Sequence, residues 1–165
     1  MSTITEEEIK KILPLNGPTF EEVKNYLTKY NDEYIVIKCG GSVLVDQKLF
    51  NNFIGDISIL NKLGFIPIII HGGGKRISNK LNEVGIKSNF INGLRVTDKN
   101  SINIVEDVLI NFNKEIIESL KKNLCESQSI TSKENNILIV EQENKELGFV
   151  GIPIEINLSI IDQIV

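Results

Sequence analysis

The chain has little of several residue types that mark particular classes of protein. Its 165 residues include no tryptophan, one histidine and two cysteines. Cys39 and Cys125 lie far apart and lack the spacing of a metal site, so we expect reduced, structural thiols. Neither a Ser-His-Asp set nor a pair of catalytic carboxylates can be assembled around the single histidine, His71. The sequence therefore predicts neither a disulfide scaffold nor general-base hydrolysis.

A strong excess of one charge and a long apolar run are also missing. The formal net charge is −4 and the isoelectric point is about 5.1, which excludes a broad basic surface for nucleic acid or anionic membranes. No apolar run approaches the roughly 20 residues that a membrane helix needs. The amino terminus resembles neither a secretory signal nor a transit peptide. We therefore expect a cytoplasmic protein, folded around one core, with no nucleic-acid or membrane partner.

Residues 1–30 are predicted to form a helical extension. Pro14, Gly17 and Pro18 interrupt it, so we expect two short helices. Thr19 and Glu22 have the spacing of a capping box at the start of the second helix. Apolar residues follow at helical spacing: Phe20, Val23, Tyr26, Leu27 and Tyr30. This apolar stripe needs a partner surface, which is either the main domain or another subunit.

Strands, glycine turns and helices alternate after residue 30. The β-branched segment Tyr34–Lys38 predicts a buried parallel strand that ends at a glycine turn, and Phe65–Ile70 predicts a second one. A helix is expected after each turn, with Gly64 and Gly85 as the stop positions. The face of the second helix is expected to carry Ile77, Leu81 and Val84. This order indicates an α/β sheet with helices on its faces.

The rest of the chain is predicted to continue in the same domain. Asn92-Gly93 predicts a tight hairpin turn, and Thr97 or Asp98 caps a long amphipathic stretch that forms one helix or two end to end. Residues 125–136 are expected to form a polar loop, and a hairpin is expected from Ile137–Val140 and Leu147–Val150. Asn157 or Ser159 is expected to cap a final helix that stops with its apolar face incomplete, so the polypeptide looks cut short or split.

Two glycine turns are the strongest candidates for a binding site. Both follow strands at their carboxyl ends, where α/β sheets place ligands. Glycine lets backbone N–H groups approach an anion without a side chain in the way. The sequence therefore predicts that these turns bind a phosphoryl group, through Gly40, Gly41, Gly72, Gly73 and Gly74.

Cationic side chains near the turns suggest how charge is handled. Lys38 ends the first strand, where an ammonium can neutralise a transferring phosphoryl group. Arg95 lies in an apolar stretch, and its planar guanidinium suits a carboxylate. Lys75 and Arg76 follow the second turn and are expected to be solvated. For His71 we expect a positional, hydrogen-bonding role.

Four ordered segments resemble the landmarks of the N-acetylglutamate kinases, within the amino-acid kinase family. They are Ile35–Ser42, His71–Gly74, Asn92–Thr97 and Leu147–Gly151. The resemblance covers roughly residues 33–165 and implies a three-layer αβα sandwich of the carbamate kinase-like type. It implies that residues 31–165 form the acceptor-binding lobe and stop before the nucleotide-binding lobe.

The resemblance also implies an activity and a set of roles. The activity is transfer of the γ-phosphate of ATP, with Mg²⁺ expected, to the γ-carboxylate of N-acetyl-L-glutamate in arginine biosynthesis. Lys38, Gly41 and Gly73 would be catalytic; Gly73, Gly74 and Arg95 would bind the acceptor; Lys38, Gly40, Gly41 and Gly72 would bind phosphate. No metal-ligating residue and no tightly bound cofactor is expected. An acceptor carboxylate is already ionised at neutral pH, which removes the need for a general base.

Regulation is a further implication. The helix at residues 19–30 resembles the amino-terminal helix of arginine-inhibited hexameric members, so we expect a homo-oligomer and arginine as a feedback inhibitor. Other interpretations stay open: a non-catalytic, arginine-responsive regulatory domain, a kinase for carbamate, glutamate or aspartate, half of a split enzyme, or a degenerate remnant.

Overall fold

The computed structural model describes residues 4–40, 43 and 45–164. In chain order the elements are α1 (Glu6–Ile12), α2 (Phe20–Lys29), β1 (Tyr34–Cys39), α3 (Gln47–Lys62), β2 (Ile66–His71), α4 (Gly74–Glu83), β3 (Phe90–Ile91), β4 (Leu94–Arg95), α5 (Ile102–Lys122), α6 (Ser132–Asn135), β5 (Leu138–Gln142), β6 (Gly151–Ile156) and α7 (Leu158–Ile164). The predicted α/β class is confirmed.

The amino-terminal extension forms the two predicted helices. The Thr19 hydroxyl accepts from the Glu22 amide at 3.3 Å, and the Glu22 carboxylate accepts from the Thr19 amide at 2.8 Å, which completes the predicted capping box. Phe20, Val23 and Leu27 are half-buried, whereas Tyr26 is 60% exposed. The structure therefore covers only part of the apolar stripe of α2.

Strands β1 and β2 form a parallel pair, as predicted. Their register runs from Tyr34 opposite Ile66 to Cys39 opposite His71. The expectation of a buried strand is wrong for one face, because Val36 is 62% and Ile70 is 53% exposed. The opposite face of the β1–β2 pair packs against the buried core, to which α3 and α5 contribute.

The core lies between the covered face of the sheet and helices α3 and α5. Its members are Cys39, Phe50, Ile54, Ile57, Phe112, Ile116, Leu120 and Cys125. Burying one such large apolar side chain contributes about 1.5–3 kcal/mol. Both cysteines are free and buried, which confirms the expected reduced thiols, and burial raises the pKa of each. The thiols are therefore protonated at neutral pH.

The elements between β2 and α5 follow the predicted order. Helix α4 buries Ile77 and Leu81, but Val84 is exposed because the helix ends at Glu83 and Val84 is its C-cap. Strands β3 and β4 pair around Asn92-Gly93, where both residues have positive φ, as the predicted two-residue turn requires.

Helix α5 is one continuous helix of 21 residues rather than two. Of the two predicted capping residues, Asp98 accepts hydrogen bonds from the amides of Asn100 and Ser101. Thr97 is buried and bonds through its backbone instead: its amide donates to the Leu147 carbonyl and its carbonyl accepts from the Phe149 amide. The N-cap of α5 is Ser101, which makes no side-chain cap, so the prediction that Thr97 or Asp98 caps the helix is wrong. Asp98 instead orders the turn that precedes the helix.

The predicted second hairpin is correct in kind but misplaced. Strand β5 pairs with β6, which begins at Gly151 instead of Leu147. The cause is Thr97, whose backbone binds the segment from Leu147 to Phe149, and Leu147 is buried in a 3₁₀ turn. The predicted polar loop contains the short helix α6. Helix α7 begins at Leu158, directly after Asn157, and capping by Asn157 stays a prediction.

Across the described ranges, no helix combines the length and apolar character that crossing a bilayer demands.

Candidate functional site

The two glycine turns lie side by side at one edge of the sheet. Parallel pairing places the last residue of β1, Cys39, opposite the last residue of β2, His71. The Gly72 amide donates to the Cys39 carbonyl at 3.4 Å and so joins the two strand ends. Gly40 and Gly72 therefore leave neighbouring strands at the same level.

Helix α4 begins at the second glycine turn without a side-chain cap. Its N-cap is Gly73, and its first turn contains no acidic residue. Lys75 and Arg76 occupy that turn instead. An uncapped first turn directs its backbone N–H groups outward, and the helix dipole favours negative charge there. The start of α4 is therefore suited to an anionic ligand.

Gly73 is the glycine of this turn that the packing requires. A Cβ atom at Gly73 would lie 2.8 Å from Leu109 Cδ2 and 3.3 Å from Ile77 Cδ1, so a larger residue would displace these side chains. A Cβ atom at Gly40, Gly72 or Gly74 would meet no atom of the described residues within 4 Å. The structure thus fixes Gly73 against α5 and leaves open space beside the other three glycines.

Arg95 lies next to the start of α4. Its Nη2 donates to the Gly74 carbonyl at 3.2 Å and to Ser78 Oγ at 2.8 Å. Its Nη1 donates to Ser88 Oγ at 2.5 Å. The guanidinium carbon also lies 4.7 Å from the centre of the Phe90 ring. Four separate groups therefore hold the guanidinium in one orientation.

Among the described residues, Arg95 contacts only neutral oxygen atoms. No salt bridge to Arg95 occurs among the described residues. Burial lowers the pKa of Arg95, but guanidinium groups stay protonated at neutral pH. The side chain is therefore held in place by hydrogen bonds while its positive charge stays uncompensated. This arrangement suits the binding of an external carboxylate.

Sequence reasoning missed the three side chains that hold Arg95. Phe90 could have been found, because a two-residue turn at Asn92-Gly93 places it opposite Arg95 in the hairpin. Ser78 lies one helical turn after Gly74, a weaker signal. Ser88 belongs to no regular element, and nothing in its sequence context indicates that it reaches Arg95.

An open cleft joins these groups. It has a volume of about 480 Å³, and its lining includes Gly74, Lys75, Ser78, Phe90 and Arg95. The start of α4 and the Arg95 guanidinium therefore face the same space. A ligand with two anionic groups can contact both at once.

Lys38 is the penultimate residue of β1 and lies opposite Ile70 in the register. It is exposed, and the alternation of the strand places it on the face of Val36, away from the core. It therefore lies at the strand end beside the glycine turns but is not in contact with Arg95. Gly41, which is also predicted to be catalytic, lies outside the described residues.

The expectation for Arg76 is wrong, whereas Lys75 is exposed as expected. Arg76 forms an ion pair with Glu115 and stacks on Phe112. For His71, the Nδ1 atom lies 3.3 Å from the Gly72 carbonyl, and the ring meets Phe112 edge-on at 4.9 Å. The positional role of His71 stays a prediction.

The described residues do not fit a resident Mg²⁺ site. Magnesium prefers carboxylate, water and phosphate oxygens. Nowhere in the described part of the chain do three His, Cys, Asp or Glu side chains come together.

Known proteins resemble this chain in sequence and in fold. The model of the amino acid kinase family matches residues 33–159. The chain belongs to the amino acid kinase family. It is 67% identical over all 165 residues to an acetylglutamate kinase from Pelagibacter ubique, of which it covers 57%. It is 41% identical over 138 residues to an acetylglutamate kinase from Campylobacter fetus. That alignment covers 82% of this chain and 49% of the Campylobacter protein.

The fold is also found among solved structures. N-acetylglutamate synthase from Neisseria gonorrhoeae, solved with coenzyme A and N-acetyl-glutamate, superposes with a TM-score of 0.68 at 19% identity. That match covers 88% of this chain and 34% of the synthase. At this identity the likeness concerns the fold alone. The chain spans about half the length of the acetylglutamate kinases it matches.

Proposed function

We propose that this chain is the acceptor-binding part of an acetylglutamate kinase. The proposed reaction transfers the γ-phosphate of ATP to the γ-carboxylate of N-acetyl-L-glutamate, a step of arginine biosynthesis. The observation that carries the proposal is the uncompensated Arg95 guanidinium, held by neutral oxygens in a cleft that also contains the uncapped start of α4. The names of the Pelagibacter and Campylobacter relatives support the same choice of substrate.

Binding of the acceptor follows from its two carboxylates. Arg95 would bind the α-carboxylate through the N–H groups that do not donate to Ser78, Ser88 or the Gly74 carbonyl. The amides of Gly73 and Gly74 would receive the reacting γ-carboxylate and the phosphoryl group it accepts. Because Arg95 Nη2 lies 3.2 Å from the Gly74 carbonyl, the two binding positions adjoin each other. One dicarboxylate would thus be oriented by both ends.

Phosphoryl transfer then requires positioning and charge neutralisation rather than a base. The acceptor carboxylate is ionised at neutral pH and attacks the γ-phosphorus directly. Lys38 would neutralise charge on the transferring group, and the backbone of Gly40, Gly41 and Gly72 would surround its oxygens. ATP is the proposed co-substrate, Mg²⁺ is expected to accompany it, and no tightly bound cofactor is proposed.

The amino-terminal helices are proposed to join subunits. Tyr26 and Tyr30 stack at 6.3 Å on α2 and are both exposed. We propose that α2 pairs with a second copy to form a homo-oligomer, and that arginine acts as feedback inhibitor. Sedimentation of the full chain and of Tyr26→Glu would test this pairing: the variant should sediment as the smaller species, and equal sedimentation would contradict the pairing. For the compartment we propose the cytoplasm, where buried free thiols persist.

The test of the proposed function is a calorimetric titration of N-acetyl-L-glutamate into the full chain. Wild type should bind, and Arg95→Ala should weaken binding about 10- to 100-fold, because hydrogen bonds to a charged group contribute about 1.5–3 kcal/mol. Lys87→Ala removes an exposed cation next to Ser88 and serves as the matched control. Glutamate and aspartate should bind more weakly. A folded wild-type chain that does not bind N-acetyl-L-glutamate would contradict the proposal and favour a regulatory or degenerate domain.

A further inference from the structure

The side chain of Arg76 joins the first turn of α4 to the middle of α5. Its Nη1 donates to Glu115 Oε2 at 2.5 Å, and its Nη2 donates to Glu115 Oε1 at 3.2 Å. The guanidinium carbon lies 4.2 Å from the centre of the Phe112 ring. A two-pronged ion pair on top of an aromatic face restricts the guanidinium in both position and plane. Arg76 therefore links two helices through a defined geometry.

The same stripe of α5 reaches the whole β2–α4 turn. Leu109, Phe112 and Glu115 are spaced by three residues, which places them along one face of the helix. Leu109 Cδ2 lies 2.8 Å from the position that a Cβ of Gly73 would take, and Phe112 meets His71 edge-on at 4.9 Å. Glu115 binds Arg76. The stripe thus contacts the last residue of β2, the N-cap of α4 and the first turn of α4.

The charge of Arg76 is already compensated. A cation in the first turn of a helix opposes the helix dipole, so its carboxylate partner relieves an unfavourable interaction. Side chains of α4 supply no cap at its start, so the turn depends on packing and on this pair for its orientation. These observations separate Arg76 from Arg95, whose charge is free to meet a ligand.

We propose that Arg76 is a positioning residue. Together with Glu115 and Phe112, it holds the turn from His71 to Gly74 in the orientation in which the turn's amides bind the reacting end of the acceptor. The effect of this role on acceptor binding rests on the proposed function. The restraint on the turn itself is a property of the ligand-free chain and can be measured without any ligand.

The first experiment measures the turn directly, by amide hydrogen exchange in the ligand-free full chain. The reporter is the Ile77 amide, which donates to the Gly73 carbonyl at 2.8 Å in the first hydrogen bond of α4. Arg76→Gln should speed exchange at Ile77 about tenfold and leave Ile54 in α3 unchanged. Lys80→Gln breaks an exposed pair with Glu83 on the same helix and should change neither rate. Unchanged exchange at Ile77, or equal acceleration at Ile54, would overturn the proposal.

The second experiment measures the affinity for N-acetyl-L-glutamate by calorimetry. Arg76→Gln should weaken binding about 5- to 20-fold while the Tm falls by only a few degrees, and Arg76→Lys should recover part of the loss. Glu115→Gln separates positioning from direct binding: it should weaken affinity if Arg76 positions the turn, whereas a gain in affinity would show Arg76 acting as an anion ligand and overturn the proposal. A wild-type chain that does not bind would defeat the proposed function, and the exchange rates would still decide the role of Arg76.

Discussion

Helices α2 and α4 begin in opposite ways. Helix α2 starts with Thr19, whose hydroxyl accepts from the Glu22 amide, and carries two acidic residues in its first turn. Helix α4 starts with Gly73, has no side-chain cap and carries Lys75 and Arg76 in the same positions. One start contains its own anion, whereas the other leaves its amides for an anion from outside. The residues of a single turn therefore decide whether a helix start is structural or available for binding.

The charged groups near the two helix starts also differ. Hydrogen bonds from the backbone and side chain of Thr19 lower the pKa of the Glu22 carboxyl, and Thr5 has the same effect on Glu8 in α1. Both carboxylates are ionised and already engaged at neutral pH. Near the start of α4, Arg95 supplies the opposite charge, and its hydrogen-bond partners within the described ranges are neutral oxygens.

The largest effect is expected from Lys38, whose charge lies on β1 and not in the first turn of α4. The test uses a hybrid protein in which this chain is joined to the remaining part of the Pelagibacter acetylglutamate kinase. In that hybrid, Lys38→Ala should lower kcat for phosphorylation of N-acetyl-L-glutamate about 10²- to 10³-fold. The affinity for the acceptor should change little. Lys48→Ala, an exposed cation on α3, is the control. Steady-state kinetics would measure both constants, and a Lys38→Ala enzyme with wild-type turnover would refute the assigned role.

A smaller effect is expected when a side chain is added at the open start. Gly73→Ala should weaken binding of N-acetyl-L-glutamate up to about tenfold, because the new Cβ would lie 2.8 Å from Leu109 Cδ2, so that the Leu109 side chain or the turn has to shift. The double variant Gly73→Ala with Leu109→Ala should regain most of the affinity by removing the obstacle. Gly72→Ala, where a Cβ meets nothing within 4 Å, is the matched control for the single change. Equal losses at Gly73 and Gly72 would contradict this packing argument.

A change of charge should make the start of α4 more like that of α2. Lys75→Glu places an acidic residue in the first turn, so affinity for N-acetyl-L-glutamate should fall about three- to tenfold while the Tm rises slightly. The opposite signs of the two effects distinguish this change from general damage to the fold. Calorimetry and thermal unfolding of the same preparation would measure them. A simultaneous fall in affinity and Tm would argue against a dipole effect.

The smallest effect is a pH dependence confined to the capped helices. A pKa that is lower in the folded state gives stability that is present above the ordinary value of 4.5 and is lost as the pH falls through the folded pKa. Urea unfolding should therefore show wild type losing more stability than Glu8→Gln/Glu22→Gln between pH 6 and pH 3. Identical pH profiles would mean that the two carboxylates do not stabilise these helix starts.

Local sequence patterns are enough to predict the parts of the fold that depend on residues close together in the chain. Thr19 and Glu22 indicated a helix start, and Asn92-Gly93 indicated a hairpin whose register places Phe90 against Arg95. Lys38 and the glycine turns could be named from their places at strand ends. Their catalytic roles stay predictions.

Contacts between distant segments could not be predicted in this way. Arg76 and Glu115 lie 39 residues apart, and a charged residue in a first helical turn usually faces solvent, which is why Arg76 was expected there. Ser88 reaches Arg95 from a segment without periodic structure. The misplaced second hairpin has the same origin, because Thr97 binds the backbone of residues 147–149 from fifty positions away. Such contacts depend on how the elements pack, not on local propensity.

The most direct test of the account is a backbone amide NMR titration of the full chain with N-acetyl-L-glutamate. If the uncapped start of α4 is the anion site, the amides of Gly74 and Lys75 should shift in a saturable manner together with the Arg95 side chain. The amides of Glu21 and Glu22, at the capped start of α2, should not move. Shifts of equal size at both helix starts, or none at Gly74 at saturating ligand, would contradict the claim that the open start of α4 binds the acceptor.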